Sequence, residues 1–261
     1  MDLTGCGEQM RILKTGKFRE CNAIAVVPTM DAEGSHFVPL AGELTRLGIA
    51  IIAVEDRPPA FRFSRSMNRG ISEALEYGPD AIILSNDDVS NIVSLEGMIG
   101  TVRHYPDSYA VPYINSKRKA FIVATRRRQF VMAHTLANRA PFHALRVLSA
   151  FRGRKWALGA PYAGFGDPIL CVQPFAVFPA DILREYQFDE NFPNGLEDDE
   201  LGYRMHKVGI QGLTNSRWKV DHEGGPSFRL ARKKEKIGLY LCSDAEMVMS
   251  AEYFYRKHFE A

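Results

Sequence analysis

Ala81-Ile82-Ile83-Leu84-Ser85-Asn86-Asp87-Asp88 is the stretch on which the fold turns. Four apolar residues read as a short buried strand, and they run without a break into a polar cluster. Two similar strands precede it. Ala23–Val27 is apolar and partly β-branched and ends in Pro28-Thr29. Ile49–Val54 ends in Glu55-Asp56-Arg57-Pro58-Pro59. Between the strands lie helical patterns, Phe37–Leu47 closed by Gly48 and Ser66–Tyr77 closed by Gly78-Pro79. Continuous apolar strands alternating with helices predict an α/β fold with a mostly parallel central sheet flanked by helices. Ligands of such sheets bind beyond the carboxyl ends of the strands. Thr29, Glu55, Asp56, Asn86, Asp87 and Asp88 therefore become the first candidate site residues.

The length, 261 residues, suits one such domain with some elaboration. Its parts are a first half over about 22–107, a middle segment over about 108–170 and a last part over about 171–261. Four cysteines, at 6, 21, 171 and 242, form no CxxC pair, which excludes a zinc ribbon and a disulfide framework and predicts a reducing, cytoplasmic setting. Met1–Glu20 lacks the apolar core of a signal peptide. The longest apolar run, Phe130–Phe151, is interrupted by His134, Arg139, Pro141, His143 and Arg146, so no transmembrane segment is expected.

The net charge of +2 hides a sharp asymmetry. Ser108–Gly166 holds no Asp or Glu but carries Lys117, Arg118, Lys119, Arg126, Arg127, Arg128, Arg139, Arg146, Arg152, Arg154 and Lys155. Pro141 suits a first helical turn. Phe142, Leu145, Leu148 and Phe151 then recur beside the cations as a basic amphipathic helix. Three readings stay open: docking on an anionic membrane near a lipid-linked acceptor, gripping a polyanionic acceptor such as nucleic acid with hydroxylated bases, or ordinary packing of an apolar stripe on the core.

Three clusters carry chemistry. Adjacent carboxylates in Asn86-Asp87-Asp88 can hold a hard divalent cation, Mg²⁺ or Mn²⁺, which bridges two phosphates; the same residues also suit a polar cap at a strand end. Glu197-Asp198-Asp199-Glu200 opens a helix that runs to Val208, with Gly209 as its stop. Acids in a first turn answer the helix dipole. Asp198 also shares a face with Leu201 and Met205, which points it inward, where it can deprotonate a hydroxyl. His222 follows a β-like run, Trp218–Val220, and can complete a carboxylate metal shell or sit as a surface histidine. Arg229 and Arg232, with Lys233 and Lys234, can clamp a diphosphate or form a solvated face.

In order, these segments resemble the family-2 glycosyltransferases, in particular a rhamnosyltransferase-like branch with the GT-A fold. Phe63-Ser64-Arg65-Ser66-Met67-Asn68-Arg69-Gly70-Ile71 is similar to the family's segment ending Asn-x-Gly-Ile. Ile82–Val89 is similar to its strand ending Asn-x-Asp-Val, a variant of the DxD motif. Phe188-Asp189-Glu190-Asn191-Phe192, followed by Leu196–Arg204, resembles Phe-Asp-Glu-x-Phe and Glu-Asp-x-Asp-Leu-x-x-Arg. Two positions depart from the pattern: Val27-Pro28-Thr29 stands where the family has a Thr-Tyr-Asn type of ending, and Glu200 replaces a common Asp.

The resemblance implies a metal-dependent transferase taking a sugar from a nucleotide-diphosphate donor to an acceptor hydroxyl, with inversion. It implies that Thr29, Asp56 and Asn68 line the nucleotide pocket, with Glu55, Arg65, Asn86 and Asp87 beside them. Asp88, aided by Asp87, and His222 would hold the Mn²⁺ or Mg²⁺. Asp198 would be the general base, and Glu197 would support donor or acceptor hydroxyls. The acceptor-side segment 108–166 does not follow from the resemblance. It leaves a peripheral membrane location, or a non-catalytic nucleic-acid- or membrane-binding protein, as the alternative. A nucleotidyltransferase is excluded by Pro28–Gly34, which lacks the Gly-rich, Lys-bearing loop for a triphosphate.

Overall fold

A computed structural model describes residues 10–57, 61–114, 172, 174–192, 195–223, 249–250, 253–254 and 256–258. The basic amphipathic stretch 141–155 and Arg229 and Arg232 lie outside the described residues. The first strand, β1 (Arg11–Thr15), is followed by β2 (Ala23–Thr29), α1 (Phe37–Arg46), β3 (Ala50–Glu55), α2 (Phe63–Leu75) and β4 (Ala81–Ser85). Then come β5 (Val89–Val93), α3 (Leu95–His104), β6 (Ser108–Ala110) and β7 (Tyr113–Ile114). The last described elements are β8 (Phe175–Pro179), α4 (Ala180–Glu185), α5 (Glu197–Lys207), β9 (Gln211–Leu213) and β10 (Lys219–His222).

Seven strands form the main sheet in the order β1-β3-β2-β4-β8-β6-β9, and β5-β10-β7 form a second, small sheet. The large central sheet flanked by helices is the α/β architecture that the alternating pattern predicts. Its central strands β3, β2 and β4 are parallel, as expected. Five of the seven strands run the same way, so the sheet is mostly parallel, as expected, with two reversed strands. β1 pairs antiparallel with β3, and β8 is antiparallel to both β4 and β6. β1 is mostly exposed and reads as polar, so it gave no apolar run to find.

Every residue of β2, β3 and β4 is buried, which explains their unbroken apolar sequences. Alternate side chains serve opposite layers. Ile24 and Val26 of β2 join Met67, Ile71 and Ala74 of α2, with Leu183 of α4 and Leu201 and Met205 of α5. Ala23, Ala25 and Val27 join Leu40 and Leu44 of α1 and Met98 and Val102 of α3. Gly70 lets α2 settle on the sheet: a Cβ there would overlap Val26 Cγ1 and stand 3.0 Å from Val54 Cγ2. Gly48, Gly78 and Gly209 end their helices with positive φ, as their positions in the sequence predict. α2 starts at Phe63, three residues before the expected Ser66, because Arg62 is extended and turns the chain into the helix. Among the described residues no helix is long and apolar enough to cross a membrane.

Candidate active site

The chain runs from β2 to β3 on one side and then to β4 on the other, so the connections diverge at the carboxyl end of β2. That divergence opens a crevice outside the strands. Thr29 closes β2 there and pairs in register with Glu55 of β3. Its hydroxyl donates to Asp87 Oδ2 at 2.7 Å, across the crevice from the end of β4. Burial raises the Asp87 carboxyl above its ordinary value; the Thr29 hydrogen bond opposes that shift and the neighbouring Asp88 charge adds to it.

Glu55 and Asp56 are both buried. Glu55 receives Arg57 Nε at 2.8 Å and faces Arg11 at 3.3 Å. Asp56 Oδ2 accepts from Arg65 at 3.0 Å and from the Ser66 hydroxyl at 3.2 Å. Both acids thus stand at the end of β3 paired with cations, Glu55 with Arg57 in the loop and Arg11 on β1, and Asp56 with Arg65 on α2. Asn68 occupies the other side of α2. Its Nδ2 donates to the Phe188 carbonyl and to Glu190, each at 2.9 Å, and its Oδ1 accepts from the Phe188 N–H at 2.9 Å. All of these amide contacts tie α2 to the segment before α5.

Asp88 and His222 meet although 134 positions separate them in the sequence. β10 pairs antiparallel with β5, with His222 opposite Val89. That register puts His222 Nε2 3.0 Å from Asp88 Oδ1. Asn86 Nδ2 lies 3.4 Å from the same nitrogen, while Asn86 Oδ1 is buried without a partner. Glu43 on α1 steadies β5: its carboxylate accepts from the N–H groups of Asn91 at 3.0 Å and Ile92 at 2.7 Å. Asn91 has φ 51, a left-handed conformation that Asn tolerates.

The Asp88 carboxylate suits Mn²⁺ or Mg²⁺ in donor type, whereas the His222 imidazole is a donor more typical of softer metals. Among the described residues no group of three or more His, Cys, Asp or Glu converges as a closed metal cage. A cation held by this pair would take most of its ligands from elsewhere, such as phosphates and water. Asp87, with one oxygen engaged by Thr29, backs this pair from the crevice side.

The start of α5 is the second cluster. Gly195 and Leu196 both have positive φ, 93° and 68°, so the chain curls tightly before the helix. Glu197, Asp199 and Glu200 are buried, and Asp198 is half-buried. The inward member of the face shared with Leu201 is thus Glu197, one residue before the expected Asp198. Asp198 stands at the edge of that face. Burial first, and then the Asp198 charge, push the Glu197 carboxyl up to about 8. Burial would also raise Glu200, but hydrogen bonding from His258 and the charges of Arg204 and Lys257 outweigh it and lower this acid. His258 Nε2 and Lys257 Nζ stand 3.1 and 2.7 Å from Glu200 Oε1. Sequence reasoning missed Lys257 and His258. Their only signal was a helical, aromatic-rich ending, and Tyr203 on α5 does pack against Phe254 with ring centres 5.4 Å apart.

No protein-family model matches the chain, and no curated protein sequence does. Among solved structures, A197 from STIV is similar with 12% identity and a TM-score of 0.45, over 77% of this chain and 84% of that one. S. aureus TarS 1–349 is similar with 10% identity and a TM-score of 0.46, over 90% of this chain and 72% of that one.

Proposed function

We propose that this protein is a glycosyltransferase of the GT-A type that moves a sugar from a nucleotide-diphosphate donor to an acceptor hydroxyl. The observation that carries the reading is the meeting of Asp88 and His222 at 3.0 Å, just past the end of β4, in a crevice where Thr29 ends β2 and the buried acids Glu55 and Asp56 end β3. A two-donor set at a sheet crevice suits a cation shared with a ligand's phosphates. When bound, that cation would offset the charge that grows on a departing diphosphate.

In this reading Thr29, Glu55, Asp56 and Arg65 face the nucleotide, and Asp88 and His222 hold the metal. Asp198, half-buried at the edge of α5, takes the proton of the acceptor hydroxyl. The freed oxygen attacks the anomeric carbon. The bond from that carbon to the diphosphate oxygen breaks, and the nucleoside diphosphate leaves with the electron pair. Attack from the face opposite the leaving group inverts the centre. Arg229 and Arg232 supply further cations for the diphosphate. Residues 117–155 meet an anionic acceptor or surface.

The test is a thermal-shift panel of UDP, GDP, CDP, ADP, dTDP and their hexose derivatives, with and without Mn²⁺. Ligands that bind only the folded state raise its melting temperature by mass action. A metal-dependent shift with one nucleotide supports the reading. No shift with any donor, beside a clear one with DNA or anionic vesicles, replaces it with a binding protein that works through the basic segment.

A further inference from the structure

Glu197 is 6% exposed, and its Oε2 has no hydrogen-bond partner among the described residues. The turn of Gly195 and Leu196 brings backbone amides to the other part of the carboxyl group: the N–H groups of Gly195 and Glu197 both bear on it. The second oxygen is left bare in a site that water barely reaches. A bare, buried carboxylate oxygen is costly, whereas a carboxylic acid there is a neutral donor awaiting an acceptor.

Burial and the neighbouring charge favour the neutral form and outweigh the backbone N–H groups, which favour the ionised one. The charge that bears on Glu197 is that of Asp198, which is negative. Strand β9, packed on α5, carries no ionisable residue. The cations Arg204 and Lys257 are engaged by Glu200, Lys257 also by Asp189, and the His258 ring stands against Glu200 as well.

We propose that Glu197 works as a carboxylic acid, donating a hydrogen bond from Oε2 to a hydroxyl oxygen of the donor or acceptor sugar, and leaves the role of base to Asp198. The assignment of a sugar rests on the glycosyltransferase reading; the protonation does not. Division of labour between two adjacent acids follows from their different burial. The donor fixes a hydroxyl without competing with Asp198 for its proton.

Glu197→Gln and Glu197→Ala separate the possibilities. Gln keeps the acceptor oxygen and replaces O–H with N–H, so transfer with the nucleotide sugar chosen by the wild-type panel stays within about threefold. Ala removes the donor, and transfer falls about 10- to 100-fold. Equal, severe losses in both variants, with melting temperatures unchanged, overturn the proposal, because they require an ionised Glu197.

A second measurement needs no activity. An acid that keeps its proton in the folded chain makes stability fall as pH rises from its ordinary value, 4.5, through about 8. The difference in melting temperature between wild type and Glu197→Gln should therefore narrow or reverse in favour of Gln across that window. A difference that is flat with pH overturns the neutral acid. If the wild type binds no nucleotide sugar, the glycosyltransferase reading fails, and this pH comparison still decides the state of Glu197.

Discussion

Lys257 Nζ stands 2.7 Å from Asp189 Oδ2 and 2.7 Å from Glu200 Oε1, joining the end of the chain to the segment before α5 and to α5 itself. Tyr253 adds a hydrogen bond to the same Asp189 oxygen at 2.8 Å. Arg204 reaches back from α5 to Glu200 and to the Gln187 carbonyl. The first turn of α5, which carries Glu197 and Asp198, is thereby held from behind.

Lys257→Met should destabilise the fold by about 2 kcal/mol. That is below the usual cost of orphaning a buried charge, because Arg204 and His258 still attend Glu200. Burial would raise the Asp189 acid, but the hydrogen bond from Lys257, with those of Asn191 and Tyr253, holds it down at about 2. A lowered acid stabilises above its ordinary value, and that stability drains as pH falls through about 2. The variant should lose less between pH 4 and 2 than the wild type does. Urea unfolding at several pH values checks both statements.

Asp88→Ala should abolish the Mn²⁺-dependent part of any nucleotide thermal shift. Asp87→Asn should keep most of it, since Asp87 is already engaged by Thr29. Titration of Mn²⁺ against both variants at a fixed nucleotide concentration reads the difference. Equal losses would mean that the two carboxylates ligate together.

Asp198→Asn should retain donor binding and lose about 10²–10⁴-fold in transfer, the usual scale for a general base. Single-turnover assays beside the thermal shift separate the two effects. Near-wild-type transfer would remove Asp198 from the role of base.

Glu43→Ala should cost about 1–2 kcal/mol, because two backbone N–H groups of β5 lose a charged acceptor. Its Mn²⁺ affinity should weaken as well, since β5 sets the register that holds Asp88 against His222. Glu43→Gln should recover part of both.

Gly70→Ala should destabilise the protein by about 2 kcal/mol, although Ala is the better helix former. The added methyl has to displace Val26 and Val54 in a packed layer. Chemical unfolding measures it, and a stabilised variant would show that α2 can slide.

The central strands were legible in the sequence because they are buried on both faces, so β2, β3 and β4 read as unbroken apolar runs. The strand-end acids followed from them. β5, β6, β7 and β9 were not legible: each is five residues or fewer, and their pairing depends on partners far along the chain. His222 was noticed as a residue, but its 3.0 Å approach to Asp88 depends on the antiparallel register of β10 and β5. Helical spacing put Asp198 on the inner face. Glu197, four residues before Leu201 on the same face, is the more deeply buried of the two, a difference that spacing alone does not separate. Asn68 stood out within a motif, yet its amide contacts, 120 and 122 positions away, come from tertiary packing alone.

The reversal of β8 has an architectural consequence. Because β8 runs against β4, its first residue, Phe175, lies opposite Ser85, and the Pro174 carbonyl accepts from the Asn86 N–H at 2.8 Å. The chain therefore returns to the sheet beside Asn86. It departs from β7, whose Tyr113 pairs with Lys219 on the strand that ends in His222. The segment that bears the eleven uncompensated cations thus has both of its stems at the rim of the Asp88–His222 pair. The stretch between the two stems can lengthen, shorten or change its charge while β4 and β8 keep the rim where it is.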